Sequence, residues 1–372
     1  LEKLNSGSDN KLEELTAAFA LSGPIQSIKP FGSGHINDTF LIKTERGPNY
    51  LLQRINHQVF TNVEGLMSNM NLVTQHLRQA LKKNGNTQFT TPEIILTREG
   101  KLYHQDLQGQ YWRVMTFIEG GVSYDQVTSE EQAFQAGYAF GYFQKLLADL
   151  PANQLTETIP DFHNMDWRFS KFHQVLKDDP VGKKSDVAAE IDFALAHQSE
   201  MVAWHQKAVD QTFPQRITHN DTKFNNVLLD RDTQRALCVI DLDTVMPGVV
   251  GYDFGDAIRT IVNTAVEDEP NINEINVHLS YYRAFTEGFL GEVGTVLTKS
   301  ELKFLPFSAH YMTFIMGLRF LTDYLEGNVY YKVQYPEHNI QRARAQFALV
   351  SRLESVASEI REMLHQVAND FY

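Results

Sequence analysis

The chain has 372 residues, 42% of them hydrophobic, a net charge of −13 and a single cysteine. That is enough apolar material for a large core, and the length suggests two or three domains. The acidic balance argues against a nucleic-acid scaffold or an anionic membrane surface as partner, and the lone Cys238 excludes an internal disulfide framework. No apolar run nears the roughly 18 residues of a membrane span, and the opening LEKLNSGSDN lacks the charged start and apolar centre of a signal peptide. A cytoplasmic protein is expected.

In chain order, LEELTAAFAL has helical period, and IQSIKPFGSGHINDTFLIKTERGPNYLLQRIN reads as three short strands joined by glycine turns. A long helix follows from Thr61, with Glu64 as capping-box partner, to Lys82, Lys83 and Gly85. EIILT and QYWRVMTFI complete a five-stranded sheet carrying one helix. After EGG the pattern turns helical: Ser129 with Gln132 opens a helix that Pro151 stops, and periodic segments recur near 186–212, 253–266, 271–291, 299–326 and 337–366. The division falls near Ile118–Gly121, giving lobes 1–118 and 119–372.

Within the helical half, ITHNDTKFNNVLLD and RALCVIDLD are the strand-like pieces, and the first places a histidine, an aspartate, a lysine and three asparagines between two apolar runs. Carboxylates and amide oxygens at the mouth of a short hairpin are hard ligands suited to Mg²⁺. Asp221, Asn226 and Asp241 have that composition, with Asp221 free to face a substrate hydroxyl while Asn226 and Asp241 face a metal. Phosphoryl transfer needs a positioned base and metal ions on the terminal phosphates, and little else. Asp243 is placed for a second metal or the acceptor, and His219 reads as a structural brace.

His219, Asp221 and Asn226 reproduce the HxDxxxxN signature of the aminoglycoside phosphotransferase and choline kinase superfamily, and Asp241 falls where that superfamily keeps its second metal-binding aspartate. HNDTKFNNVLLD, VIDLDTVMPG, YDFGDAIR and GSGHINDTF further resemble the N-acetylhexosamine 1-kinases, over about 31–331. The resemblance implies a two-lobed protein-kinase-like α+β fold, with ATP and Mg²⁺ between the lobes and Asp221 as catalytic base. It also implies phosphorylation of the anomeric hydroxyl of GlcNAc or GalNAc. Other kinases of the superfamily, for aminoglycosides, choline or homoserine, are the alternatives, as is a catalytically silent binding protein.

At the position of a nucleotide-covering loop, Gly32, Ser33, Gly34 and His35 are expected against the phosphates. The third strand departs from the kinase pattern, with Gln53 where a lysine is usual and Arg54 beside it. Adjacent strand residues face opposite sides, so Arg54 serves the nucleotide only through a bulge or a one-residue shift. Arg319 and Asp323, four apart in an apolar helix, read structurally as a salt bridge. The resemblance instead matches Arg319 and Tyr330 to sugar-contacting positions, leaving Tyr324, Tyr331 and Trp112 as core or rim aromatics.

Overall fold

The computed structural model describes residues 12–32 and 36–369. It is a protein-kinase-like α+β fold, with an antiparallel sheet in the N-terminal lobe and a helical C-terminal lobe. Residues 12–16 are helical, and Phe19 then bridges to Thr97. β1 (Ile25–Pro30), β2 (Asp38–Thr44) and β3 (Tyr50–Ile55) form the expected meander. The sheet order is β1-β2-β3-β6-β4, with β6 at Tyr111–Thr116. The sheet has six strands rather than the expected five, because β4 (Ile94–Ile95) and β5 (His104–Gln105) pair with opposite ends of β6. A turn through Gly100, where Thr97 donates to the Lys101 carbonyl, separates the two pieces.

Helix α1 (Val63–Asn84) is capped by Asn62, whose side chain accepts the Gly65 N–H, rather than by the expected Thr61 and Glu64 pair. Its left-handed Gly85 end is as expected. Val63, Leu66, Met67, Met70, Val73 and Leu77 keep one face buried, and this face belongs to the same core as α2 (Glu130–Leu146) of the large lobe. The two lobes are therefore joined by packed apolar surface as well as by chain.

In the large lobe, α3 (Met165–Asp178), α4 (Ala188–Val209), α5 (Val250–Ile261), α6 (Leu279–Val293), α7 (Lys299–Glu326), α8 (His338–Ser355) and α9 (Ala357–Ala368) surround two small sheets, one of three strands and one of two. β7 (Gly121–Val122) pairs with β9 (Val227–Asp230), β9 with β10 (Ala236–Val239), and β8 (Arg216–Thr218) with β11 (Met246–Gly248). α3, β7 and β11 were not anticipated from the sequence. α5 lies unusually close to α7: a Cβ on Gly255 would stand 2.2 Å from the Ser308 carbonyl oxygen. That contact sets the acidic start of α5 beneath the β8–β9 loop.

Candidate active site

The loop from His219 to Asn226 is held by its own polar residues and by α5. Asp253, in the first turn of α5, accepts the His219 and Asn220 N–H groups at 2.9 and 2.8 Å and the Gln144 side chain at 2.5 Å. Asp256 accepts the Thr222 N–H at 2.9 Å and pairs with Arg259, which also reaches Glu267 at 2.9 Å. The Thr222 hydroxyl donates to the Asp253 carbonyl at 2.6 Å. Asn220 takes up a left-handed conformation (φ 65°) and donates to the carbonyls of Thr218 and Thr244. His219 Nε2 lies 2.9 Å from the Ile240 carbonyl, which only accepts, so Nε2 carries the proton and Nδ1 receives the Asp221 N–H at 3.3 Å. The expected bracing role of His219 is thus visible as a tie between the loop and the strand end that precedes Asp241.

Asp221 is 28% exposed, with Lys223 Nζ 3.1 Å from its carboxylate. Asn226 donates to the Asp221 carbonyl at 2.8 Å and to its carboxylate at 3.2 Å, which leaves the Asn226 amide oxygen free of these contacts. Desolvation raises the Asp221 pKa, but Lys223 and then His219 outweigh it, so the group sits below the ordinary carboxylate value and is ionised near neutral pH. Asp241 is exposed and held at φ 61°, a left-handed conformation that swings it out of the strand path. Although Asp241 keeps an exposed face, the protein atoms packed around its carboxylate desolvate it, and the charges of Asp243 and Asp221 add to this, pushing its pKa up to about 6. Asp221, Asp241 and the Asn226 amide oxygen are the hard oxygen donors here that could hold a divalent cation.

Asp243 does not face the opening. It is buried with both oxygens on the Arg113 guanidinium, at 2.5 and 2.9 Å, and accepts from Asn37 at 2.6 Å. In this placement the carboxylate is engaged in a fork-to-fork ion pair and is not brought toward a second metal or the acceptor. Arg113 lies on β6 and also donates to Gln53 Oε1 at 2.9 Å. Gln53 stands opposite Thr39 and Arg113 across an unbroken register, while Arg54 stands opposite Asp38 and Trp112. No bulge shifts β3, so Arg54 is on the other face, exposed and paired with Asp38. Its expected contact with the nucleotide is not supported by this placement. The small-lobe cation nearest the Asp241–Asp243 segment is Arg113, whose signal in the sequence was a lone charge in the middle of an apolar strand. Gly32 has φ 77° and open space around it, whereas Ser33, Gly34 and His35 lie outside the described residues.

Arg319 and Asp323 form no ion pair with each other. Asp323 accepts the N–H groups of Val329, Tyr330 and Tyr331 and the Asn339 amide, so it caps the turn after α7. Arg319, 8% exposed, lies over the rings of Phe162, Tyr331 and Tyr330 at 4.9, 5.6 and 5.9 Å. Arg168 is close enough that burial first, and Arg319 second, lower its pKa. Among the described residues neither arginine has a carboxylate ion-pair partner. Four buried polar atoms here lack hydrogen-bond partners: Arg168 Nε, both ring nitrogens of His163, and the Tyr331 hydroxyl. Burial, with Arg319 and Arg168 beside it, drives the His163 pKa well down, and the same ring feels the Asn220 backbone of the loop. Tyr330 is 54% exposed at the rim.

A model of the phosphotransferase enzyme family, APH, matches residues 27–286. The chain belongs to this family. Among solved structures it is similar to an aminoglycoside phosphotransferase from Alicyclobacillus acidocaldarius (13% identity, TM-score 0.64, 98% of each chain covered). It is also similar to a microcompartment-associated aminopropanol kinase (16%, 0.59, 94% of this chain and 98% of that one). A third is an amicoumacin kinase in complex with AMP-PNP, Ca²⁺ and Ami (13%, 0.56, 94% and 93%). At these identities the likeness is one of fold, and the phosphotransferase assignment rests on the family match.

Proposed function

We propose that this phosphotransferase is an ATP-dependent kinase that phosphorylates the anomeric hydroxyl of an N-acetylhexosamine, GlcNAc or GalNAc, to the 1-phosphate. The observation that carries the acceptor class is the group of unpartnered buried polar atoms around Arg319. Such atoms are costly to bury unpaired, at about 1–3 kcal/mol each, and a ligand rich in hydroxyls with an acetamido group offers both donors and acceptors to them. Two arginines without carboxylate partners disfavour the polycationic aminoglycosides and choline, because a cationic acceptor would meet like charge.

In this reading the nucleotide lies between lobes 1–118 and 119–372, with the Gly32–His35 loop over its phosphates. The nucleotide analogue and Ca²⁺ in the amicoumacin kinase are consistent with a metal–nucleotide substrate in this fold. Asn226 and Asp241 would hold Mg²⁺, whose chemistry is to neutralise charge on the transferring phosphoryl group. Asp221, kept ionised by Lys223 and His219, accepts the hydroxyl proton as the oxygen attacks phosphorus, and no covalent intermediate is needed. The Arg113–Asp243 pair positions the segment bearing Asp241 against the small-lobe sheet. Arg319 supplies fixed donors to the sugar and Tyr330 a flat face at the rim. The large-lobe pocket thus chooses the acceptor, and the loop activates it. No described helix is long and apolar enough to cross a membrane, and a cytoplasmic location is proposed on the single buried cysteine.

The test is ADP formation with Mg²⁺ and ATP against a panel of GlcNAc, GalNAc, glucose, choline, homoserine and kanamycin. Turnover with an N-acetylhexosamine well above the rest is expected; turnover with choline or kanamycin instead would overturn the acceptor assignment.

A further inference from the structure

Away from the cleft, three large-lobe helices bring two imidazoles and a carboxylate together: His197 of α4, His310 of α7 and Glu354 of α8. Their ligand atoms all lie within 4.8 Å of one another. His197 Nε2 is 3.0 Å and His310 Nε2 3.4 Å from the same oxygen, Glu354 Oε1. Aromatic rings hold the imidazoles in place: Phe193 stacks on His197 at 4.3 Å, Phe314 lies 5.5 Å from it, and Phe307 meets His310 edge-on at 4.9 Å.

Two observations set this cluster apart from an ordinary ion pair. His197 Nδ1 is 2.8 Å from the Phe193 backbone carbonyl, which can only accept, so Nδ1 carries the proton. In the neutral ring, Nε2 then presents a lone pair to a carboxylate oxygen that also has lone pairs alone. His310 is nine-tenths buried, and its Nε2 has no hydrogen-bond partner although it points at the same oxygen. Burial, and then the neighbouring His197, lower the His310 pKa to about 4, so that ring is neutral at ordinary pH. A second proton on His197 would relieve one of these contacts and leave His310 Nε2 unpartnered. A cation among the three atoms relieves all of them.

We propose that His197, His310 and Glu354 form a binding site for a divalent transition-metal ion of the zinc class, tying α4, α7 and α8 together. Two imidazole nitrogens and one carboxylate suit zinc, cobalt or nickel, whereas Mg²⁺ prefers an all-oxygen set. The Nδ1–H bond to a backbone carbonyl is the outer contact that metal-binding histidines usually make. Glu354 is 41% exposed, so water can complete the coordination from that side. In a tetrahedral zinc site neighbouring ligand atoms stand about 3.4 Å apart, so closing the cluster needs shifts of about an ångström, within reach of side-chain rotation. The site is chemically distinct from the oxygen-rich cleft, and its role is structural.

The test uses the full chain after chelator treatment. Zinc binding is measured by competition with a chromophoric chelator, and cobalt serves as a visible-absorption probe of coordination. Wild type and Asp241→Asn are compared with Glu354→Gln and His197→Gln; buried His310 is left intact to protect folding. One zinc equivalent is expected in wild type and Asp241→Asn, with affinity at least tenfold weaker in Glu354→Gln and His197→Gln. Four-coordinate cobalt absorption should be lost in the same two variants, while Mg²⁺-dependent ADP formation is retained in Glu354→Gln. Failure of wild type to bind zinc, or equal zinc affinity in all four proteins, would overturn the proposal.

Discussion

The loop carrying Asp221 and the buried polar cluster around Arg319 satisfy their polar groups in opposite ways. Every loop amide from His219 to Thr222 has an acceptor, two of them on Asp253 and one on Asp256, and the side chains of Asn220, Thr222 and Asn226 donate within the same frame. Around Arg319, by contrast, buried nitrogens and a hydroxyl have no hydrogen-bond partner, and two guanidiniums lie near each other with no carboxylate ion-paired to either among the described residues. Low-dielectric surroundings make both arrangements consequential: a satisfied network is rigid, and an unsatisfied one is costly until something fills it. In the proposed function the loop stays as it is and the region around Arg319 takes up the acceptor, so the loop geometry would be ready before the acceptor arrives.

The sharpest way to break this contrast is at the loop. Asp221→Asn preserves size and hydrogen-bonding capacity but removes the proton acceptor, so turnover should fall about 10²- to 10⁴-fold with nucleotide affinity and melting temperature nearly unchanged. Steady-state kinetics beside nucleotide titration check this, and near-normal turnover would remove Asp221 from the role. Next in size is the pair that ties the small lobe to the Asp241 segment. Arg113→Met leaves the Asp243 carboxylate buried without its partner, which typically costs about 3–5 kcal/mol, seen as a lower denaturant midpoint. A stability change within error would mean that Asp243 finds solvent when Arg113 is gone.

At the pocket the expectation reverses. Arg319→Ala breaks no ion pair and relieves repulsion with Arg168, so the free protein should lose little stability, while KM for the acceptor rises about tenfold or more and KM for ATP stays put. A large stability loss with unchanged acceptor KM would make Arg319 a core residue. The smallest effect concerns pH. The Asp241 pKa is raised to about 6, so the metal-free folded state binds more protons than the unfolded one between about pH 4 and 6, and this group's contribution to stability declines as pH rises through that window. Mg²⁺ competes with the proton, so the thermal stabilisation produced by Mg²⁺ should be greater at pH 8 than at pH 5, and the difference should vanish in Asp241→Asn.

The two regions also differ in how legible they are in the sequence. HNDTKFNN stands out because phosphoryl transfer needs residue types that no packing argument calls for between two apolar runs, and its members lie within eight positions. Arg113 and Asp243 are 130 positions apart, so their pairing emerges only when the sheet and the loop are folded together. The spacing of Arg319 and Asp323 suggested a salt bridge, yet Asp323 is drawn to the amides of 329–331, a backbone demand that side-chain spacing does not show. Asn62 displaced Thr61 as the α1 cap because neighbouring polar residues compete for one helix start and the sequence does not rank them. β5, β7 and β11 span two or three residues each, too short for any alternation to register. α3 did carry a signal, with Met165, Phe169, Phe172 and Leu176 on one face behind Asn164, but its charged and aromatic interleaving obscured it.

In the proposed function, phosphate is transferred to the anomeric oxygen of an N-acetylhexosamine. The most direct measurement compares GlcNAc and GalNAc with their methyl glycosides, in which that oxygen is blocked, by following ADP release and the reducing power of the product. A non-reducing sugar phosphate is expected from one or both free sugars, with no reaction of the matching methyl glycoside. Phosphorylation of the methyl glycoside as readily as the free sugar would contradict the proposed function, because transfer would then occur elsewhere on the ring.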